Sequence, residues 1–246
     1  MSILHLVRHG QASFGSHDYD RLSSRGMQQV ERLEAHWHSL GDQPTALYSG
    51  PLRRQKQTAE LLARRSNLDI IEHPAFKEFD ASEVLQAYAS ASGLNMSDPH
   101  APLALERPGV SSELMHSTDT AHNPERLRRF QTGLEAATLA WVRGELRGEL
   151  ESWPDFRGRV IDTVENLIND AGRSQTLVVC TSAGVIGAAL GHWMGLHDEG
   201  AIRLSWVLLN ASVSSVLFDE KRRSVLCFNT LPHLEQAAYR DWVTRI

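Results

Sequence analysis

Residues 3–11 read Ile3-Leu4-His5-Leu6-Val7-Arg8-His9-Gly10-Gln11. A short apolar run breaks abruptly into a polar turn, the pattern of a strand that ends in a loop. The same pattern returns near residue 180. Thr176-Leu177-Val178-Val179-Cys180 is a continuous apolar run, as expected of a strand buried on both faces. Thr181-Ser182-Ala183-Gly184 then turns sharply into a helix carrying Ile186, Ala189, Leu190 and Trp193. Shorter strands are predicted at Ala46–Ser49 and Asp69–Glu72, and two late ones around Ser205–Phe218 and Ser224–Phe228. Helical periodicity fills the gaps. Met27, Val30, Leu33, Trp37 and Leu40 share one face, with Ser23 or Ser24 as the cap and Gly41 as the stop. A second helix is expected with Pro51 in its first turn and Leu52, Ala59, Leu62 and Ala63 facing inward. Phe156, Val160, Val164, Leu167 and Ile168 mark another, opened by Ser152-Trp153-Pro154-Asp155. Strands alternating with helices predict a three-layer α/β/α sandwich around a mostly parallel sheet.

The chain has 246 residues, and 25 Lys+Arg against 30 Asp+Glu give a net charge of −5. Hydrophobic residues make up 41% and charged residues 22%, a globular balance that excludes a wholly disordered chain. The length suits one α/β domain spanning 1–246. Residues from about 84 to 150 interrupt the pattern. Gly93-Leu94-Asn95, Asp98-Pro99-His100 and Arg107-Pro108-Gly109 punctuate the first half, and Leu127, Phe130, Leu134, Ala137 and Trp141 are helically spaced in the second. This region is expected to be a lid-like helical insertion. No apolar stretch is long enough for a membrane helix, and no basic leader precedes an apolar run, so a cytoplasmic protein is expected. The two cysteines, Cys180 and Cys227, exclude a disulfide framework and a cysteine zinc site. The mild negative charge argues against nucleic acid as a partner. A homodimer is conceivable if the segment Trp206–Phe218 forms a sheet edge.

Sites in open α/β sheets lie beyond the carboxyl ends of the strands. Arg8-His9-Gly10 follows the first predicted strand, Ser49 and Arg54 the second, Glu78 the third and Thr181-Ser182 the fourth. Two arginines, a histidine, a carboxylate and a Ser/Thr turn suit a phosphate ester. Guanidinium groups offer a planar fork to phosphate oxygens, and backbone N–H groups opening a helix add anion donors. Nearby positive charge favours the neutral, nucleophilic form of the histidine.

These residues resemble a known family. Leu6-Val7-Arg8-His9-Gly10-Gln11 is similar to the signature of the histidine phosphatase (phosphoglycerate mutase-like) superfamily. Ser49-Gly50-Pro51-Leu52-Arg53-Arg54 through Gln57-Thr58-Ala59 resembles its second motif, and Phe76-Lys77-Glu78-Phe79-Asp80 its acidic segment. Glu151-Ser152, Leu209-Asn210-Ala211-Ser212 and Asn229-Thr230-Leu231-Pro232-His233-Leu234 continue the likeness in order. The resemblance implies a phosphoglycerate mutase-like fold and a phosphomonoester hydrolase. His9 would accept the phosphoryl group, Arg8 and Arg54 would grip its oxygens, and Glu78 would serve as the proton donor. Gly10, Gln11, Thr181, Ser182 and Ala183 would line the phosphate site. The partner implied is a small phosphorylated substrate or inorganic phosphate, with no metal and no organic cofactor.

One departure stands out. The family's second histidine, in a histidine-glycine-glycine turn, is replaced by Ser182 in Cys180-Thr181-Ser182-Ala183-Gly184. Serine brings a hydrogen-bond donor without a positive charge. A lost donor of this kind costs about 2–4 kcal/mol of transition-state stabilisation, so a weakened enzyme or a rearranged pocket is expected. Gly15 stands where the mutase branch carries asparagine, and Ser82 where glycine follows the acidic residue. The competing readings are therefore a phosphoglycerate-type mutase and a non-catalytic phosphate-binding member.

Overall fold

A computed structural model describes residues 1–13, 20–41, 43–66, 68–93 and 124–245, with side chains from residue 128 onward in the last span. The elements run β1 (Ser2–Arg8), α1 (Ser24–Leu40), β2 (Ala46–Ser49), α2 (Arg53–Ala63), β3 (Ile70–Glu72), α3 (Ala81–Ser92), α4 (Pro124–Val142), α5 (Trp153–Asp170), β4 (Thr176–Thr181), α6 (Ala183–Trp193), α7 (Asp198–Val207), β5 (Val213–Phe218) and β6 (Arg223–Thr230). The sheet order is β3-β2-β4-β1-β5-β6. β3, β2, β4 and β1 pair in parallel, and β5 and β6 continue the sheet antiparallel. The chain is thus an α/β fold on a mixed, mostly parallel sheet.

The two faces of β1 show why helices must cover both sides. Successive strand side chains point to opposite faces. Val7 is fully buried in a cluster with Val30 and Leu33 of α1, Ala59 and Leu62 of α2, and Val178 and Cys180 of β4. Leu4 and Leu6, on the opposite face, are fully buried as well, as are Val160 and Val164 of α5 and Ile186 and Leu190 of α6. Burying a side chain of this size contributes about 1.5–3 kcal/mol, so the sheet centre anchors the fold.

The chain forms two compact units. The first is built from Met1–Ser13, Asp20–Glu78 and the chain from Arg157 on, and the second includes the described part of Phe79–Phe156. In the second unit α3 packs against α4. Its apolar centre is aromatic: Trp141 lies 4.9 Å from Phe79, 5.3 Å from Trp153 and 5.5 Å from Phe156, ring centre to ring centre. Trp141 Nε1 donates to the Glu151 carbonyl at 2.7 Å.

Several boundaries differ from the sequence reading. The stretch read as a strand from Ser205 divides: residues to Val207 complete α7, and β5 starts only at Val213. α7 is signalled by His197, whose Nδ1 accepts from Gly200 N, and by Asp198 and Glu199 in the first turn. β5 also lies inside the sheet, paired on both sides, so it offers no edge to a second copy. α3 went unread because its Ala/Ser-rich sequence shows little periodicity. Its caps are nonetheless conventional, with Asp80 Oδ1 accepting from Ser82 N and Glu83 N and Gly93 left-handed at φ 64°. Pro51 precedes α2 rather than opening it. Met27 and Leu40 are exposed, and Gly26 and Gln29 take places on the buried face of α1. Gly15, and the stretches Asp98-Pro99-His100 and Arg107-Pro108-Gly109, lie outside the described residues.

Gly26 has a steric reason. A Cβ there would stand 2.1 Å from the Gln11 carbonyl oxygen, and one at Gly10 would stand 2.4 Å from Gly26 O. The turn after β1 therefore rests directly on the first turn of α1. Gly158, inside α5, meets nothing within 4 Å of an added Cβ. Gly26→Ala should lower the unfolding free energy in urea by about 2 kcal/mol or more, through overpacking that backbone atoms cannot relieve. Gly158→Ala should raise it by about 0.5–1 kcal/mol through helix propensity. A neutral Gly26→Ala would contradict the close approach.

Candidate active site

The site grows from the register of β1 and β4. Arg8 faces Thr181 across the ladder, and His9 N donates to Thr181 O at 2.9 Å just beyond it. On the other side, Ala211 N and Asn210 Nδ2 donate to the His9 carbonyl at 3.1 and 3.5 Å. Ala211 is left-handed, with φ 57°. That conformation costs a non-glycine residue on the order of 1 kcal/mol, and it aims the Ala211 N–H at His9. The backbone of His9 is thus fixed from β4 on one side and from the turn ahead of β5 on the other.

The imidazole is only 6% exposed. Its Nδ1 lies 2.8 Å from the Gly10 carbonyl. A carbonyl can only accept, so Nδ1 carries the proton and Nε2 keeps its lone pair. Arg54 Nε donates to that same Nε2 at 3.2 Å, which requires the same tautomer. Burial, then the charges of Arg54 and Arg8, hold the His9 pKa well below its usual value, with the Gly10 hydrogen bond opposing them. The result is a neutral imidazole with a bare nitrogen beside guanidinium groups.

α2 delivers several of the partners. Arg54 and Thr58 share a helix face at a spacing of four. Thr58 Oγ1 accepts from Gly10 N at 3.2 Å and donates to the Arg54 carbonyl at 2.8 Å. Asp20, which the sequence did not single out, organises the start of the helix. Its Oδ2 accepts from Arg53 N at 2.9 Å and its Oδ1 pairs with Arg54 Nη1 at 2.6 Å. Arg54 is thereby held with Nε toward His9, while Arg53 lies exposed. Arg8 Nη1 donates to the Leu208 carbonyl.

Glu78 meets the opposite wall. Its Oε2 accepts from Gly184 N at 2.8 Å, in the first turn of α6. Ser182 is the N-cap residue of α6 but makes no side-chain capping bond, and Ala183 opens the helix beside it. Ser182 Oγ instead accepts from Gln55 Nε2 at 2.8 Å. The structure brings His9, Arg8, Arg54, Glu78 and Ser182 to the carboxyl end of the parallel strands. Gly10, Gln11 and Thr181 spend their polar groups internally: Gly10 N on Thr58, Gln11 N on Gln29 Oε1 at 2.9 Å, and Thr181 Oγ1 on the Phe76 carbonyl at 2.8 Å. Among the described residues, no three His, Cys, Asp or Glu side chains gather as a metal site would require.

Two measurements follow from this geometry. At neutral pH, imidazole NMR should show His9 as the Nδ1–H tautomer, with protonation only well below pH 6.5. An Nε2–H tautomer, or a pKa near 6.5, would contradict the arrangement. The unfolded chain protonates its histidines near pH 6.5, while folded His9 resists. Stability must therefore be full above that pH and decline as pH falls below it, because the unfolded state then binds more protons. His233 adds to the same slope, its pKa pushed down to about 3 chiefly by burial.

The family model described as "Histidine phosphatase superfamily (branch 1)" matches residues 4–95 and 109–231. The chain is similar in fold to a mycobacterial glucosyl-3-phosphoglycerate phosphatase solved with VO3, at 20% identity and a TM-score of 0.60, over 93% of this chain and 99% of that one. It is also similar to a phosphoserine phosphatase from Entamoeba histolytica in complex with 3-phosphoglyceric acid, at 15% identity and a TM-score of 0.58, over 95% and 100%. Bacillus stearothermophilus YhfR matches at 14% identity and a TM-score of 0.63, over 95% and 99%. No curated protein sequence matches. With the family model covering most of its length and its own Arg8-His9-Gly10 turn at the head of the sheet, the chain belongs to the histidine phosphatase superfamily.

Proposed function

We propose that this chain is a phosphomonoesterase that passes the phosphoryl group through His9. The observation that carries the reading is the imidazole itself, neutral and buried, with an unprotonated Nε2 that accepts from Arg54 Nε. In the first step the Arg54 Nε–H passes from Nε2 to a phosphoryl oxygen, the freed lone pair attacks phosphorus and the P–O bond to the leaving group breaks. Glu78 enters this step protonated and gives that proton to the departing alkoxide. Arg54 and Arg8 stabilise the charge on the equatorial oxygens. The phosphorylated ring is cationic with Nδ1–H retained, and the Gly10 carbonyl accepts from it. In the second step Glu78 takes a proton from water, which attacks phosphorus. Inorganic phosphate leaves and neutral His9 returns.

The substrate class is a small phosphorylated metabolite. No metal or organic cofactor takes part in this scheme. Ser182 supplies a donor without charge where the family carries histidine, which favours a slower enzyme over a mutase that must retain its phosphoenzyme. Both cysteines are free thiols, which suits a reducing, cytoplasmic setting. Among the described residues, no helix is long and apolar enough to cross a membrane.

Hydrolysis of p-nitrophenyl phosphate in excess chelator tests the reading. Wild type should turn over and His9→Ala should not. Glu78→Gln should lose about 10²-fold or more on alkyl phosphates, whose leaving groups need a proton, and much less on the aryl ester. Equal losses on both would remove Glu78 as the acid, and activity surviving in His9→Ala would remove the nucleophile.

A further inference from the structure

The buried amide of Gln55 stands where the family difference lies. Its Oε1 accepts from Leu52 N at 3.1 Å. Its Nε2 donates to the Phe76 carbonyl at 3.0 Å and to Ser182 Oγ at 2.8 Å. One backbone N–H on the oxygen and one carbonyl on the nitrogen fix the orientation of the amide. Gln55 and Ser182 are both buried. The chain leaves room for this amide by carrying glycine at position 50, where a Cβ would stand 2.2 Å from Gln55 Oε1 and 2.5 Å from Phe76 O.

Two consequences bear on the chemistry. Ser182 Oγ is occupied as an acceptor by Gln55, and it makes no capping bond to its own helix. Its proton has no acceptor among the described residues and remains available to donate. Ser182 directly follows Thr181, whose carbonyl binds His9 N. The second consequence concerns Glu78. Phe76 O takes hydrogen bonds from Gln55 and from Thr181 Oγ1, while Arg159 Nη1 donates to the Ala75 and Lys77 carbonyls at 2.6 and 2.9 Å. The three residues leading into Glu78 are clamped.

We propose that Gln55 is a positioning residue for phosphoryl transfer: by donating to Ser182 Oγ it turns the serine proton toward the phosphoryl group, and by holding Phe76 it sets the carboxylate of Glu78. Gln55 and Ser182 act as one unit that takes the place of a histidine at 182. An imidazole at 182 in the rotamer of the present serine would set its Cγ near the Oγ position, 2.8 Å from Gln55 Nε2, so in this proposal the site accepts histidine only when residue 55 shrinks. The inference rests on the phosphatase reading.

Double-mutant cycles test it, with kcat on p-nitrophenyl phosphate and the rise in Tm on adding orthovanadate as two readouts. Gln55→Met, which keeps the volume, and Ser182→Ala should each lower kcat by about tenfold to a hundredfold, and the pair together by no more than the worse single change. Ser182→His alone should give no gain, whereas Ser182→His with Gln55→Ala should exceed Gln55→Ala alone by about tenfold or more. A merely structural Gln55 would lower Tm, and its loss of kcat would multiply with that of Ser182→Ala. That multiplication, or a gain from Ser182→His in both backgrounds alike, would overturn the proposal. If wild type binds vanadate without turning over esters, the phosphatase reading fails. The same cycle read in the vanadate-induced Tm shift then decides on Gln55, with coupling supporting it and additivity overturning it. Wild type that neither turns over nor responds to vanadate would overturn both.

Discussion

A buried imidazole beside guanidinium groups has its protonation decided by its surroundings. In bulk water His9 would be partly charged near neutrality. Here, loss of hydration and the charges of Arg54 and Arg8 disfavour the imidazolium. The Gly10 carbonyl then selects the tautomer by taking the Nδ1 proton. What remains is one lone pair, on Nε2, pointing at Arg54. The surrounding architecture keeps that lone pair in one place.

The means are backbone geometry and close packing. Thr181 of β4, and Ala211 and Asn210 of the turn ahead of β5, hold the His9 main chain from both sides. Gly26 lets the loop rest on α1, and Gln29 binds both Gln11 N and the chain end through Trp242 O and Thr244 Oγ1. α2 serves the site along its length. Arg54 meets His9, Gln55 meets Ser182, Gln57 Oε1 accepts from Leu22 N, and Thr58 meets Gly10 N. A buried polar group without a partner costs about 1–3 kcal/mol, so a network this connected resists rearrangement. When a phosphate ester arrives, the Arg54 Nε–H has only to exchange the His9 lone pair for a phosphoryl oxygen.

Much of this was legible in the sequence. The apolar runs at 3–7 and 176–180 gave β1 and β4, and the polar residues after them, with Arg54 and Glu78, gave the members that the fold brings together. Their convergence follows from strands running in parallel, which the alternation of elements implied. What could not be read depended on side chains meeting across the fold. Asp20 and Gln55 look like ordinary surface residues in a linear reading. Only the folded chain sets Asp20 against Arg54, and Gln55 against residues more than a hundred positions away. The run Leu204–Leu209 misled because its apolar density suits a strand, while the acidic first turn and the His197 cap make its first part a helix. Ser182 was recognisable as a change from histidine, but nothing in the linear chain revealed that Gln55 fills the space beside it.

The central claim is that His9 Nε2 carries the phosphoryl group during turnover. Rapid acid-free quenching of the enzyme with an excess of phosphomonoester, followed by peptide mass spectrometry under alkaline conditions, tests it directly. The account predicts one phosphoryl group on the peptide containing His9, labile to acid, absent from His9→Ala and accumulating further in Glu78→Gln. A chain that hydrolyses the ester at full rate with no phosphoryl group on His9 under these conditions, or with the group on another residue, would contradict it.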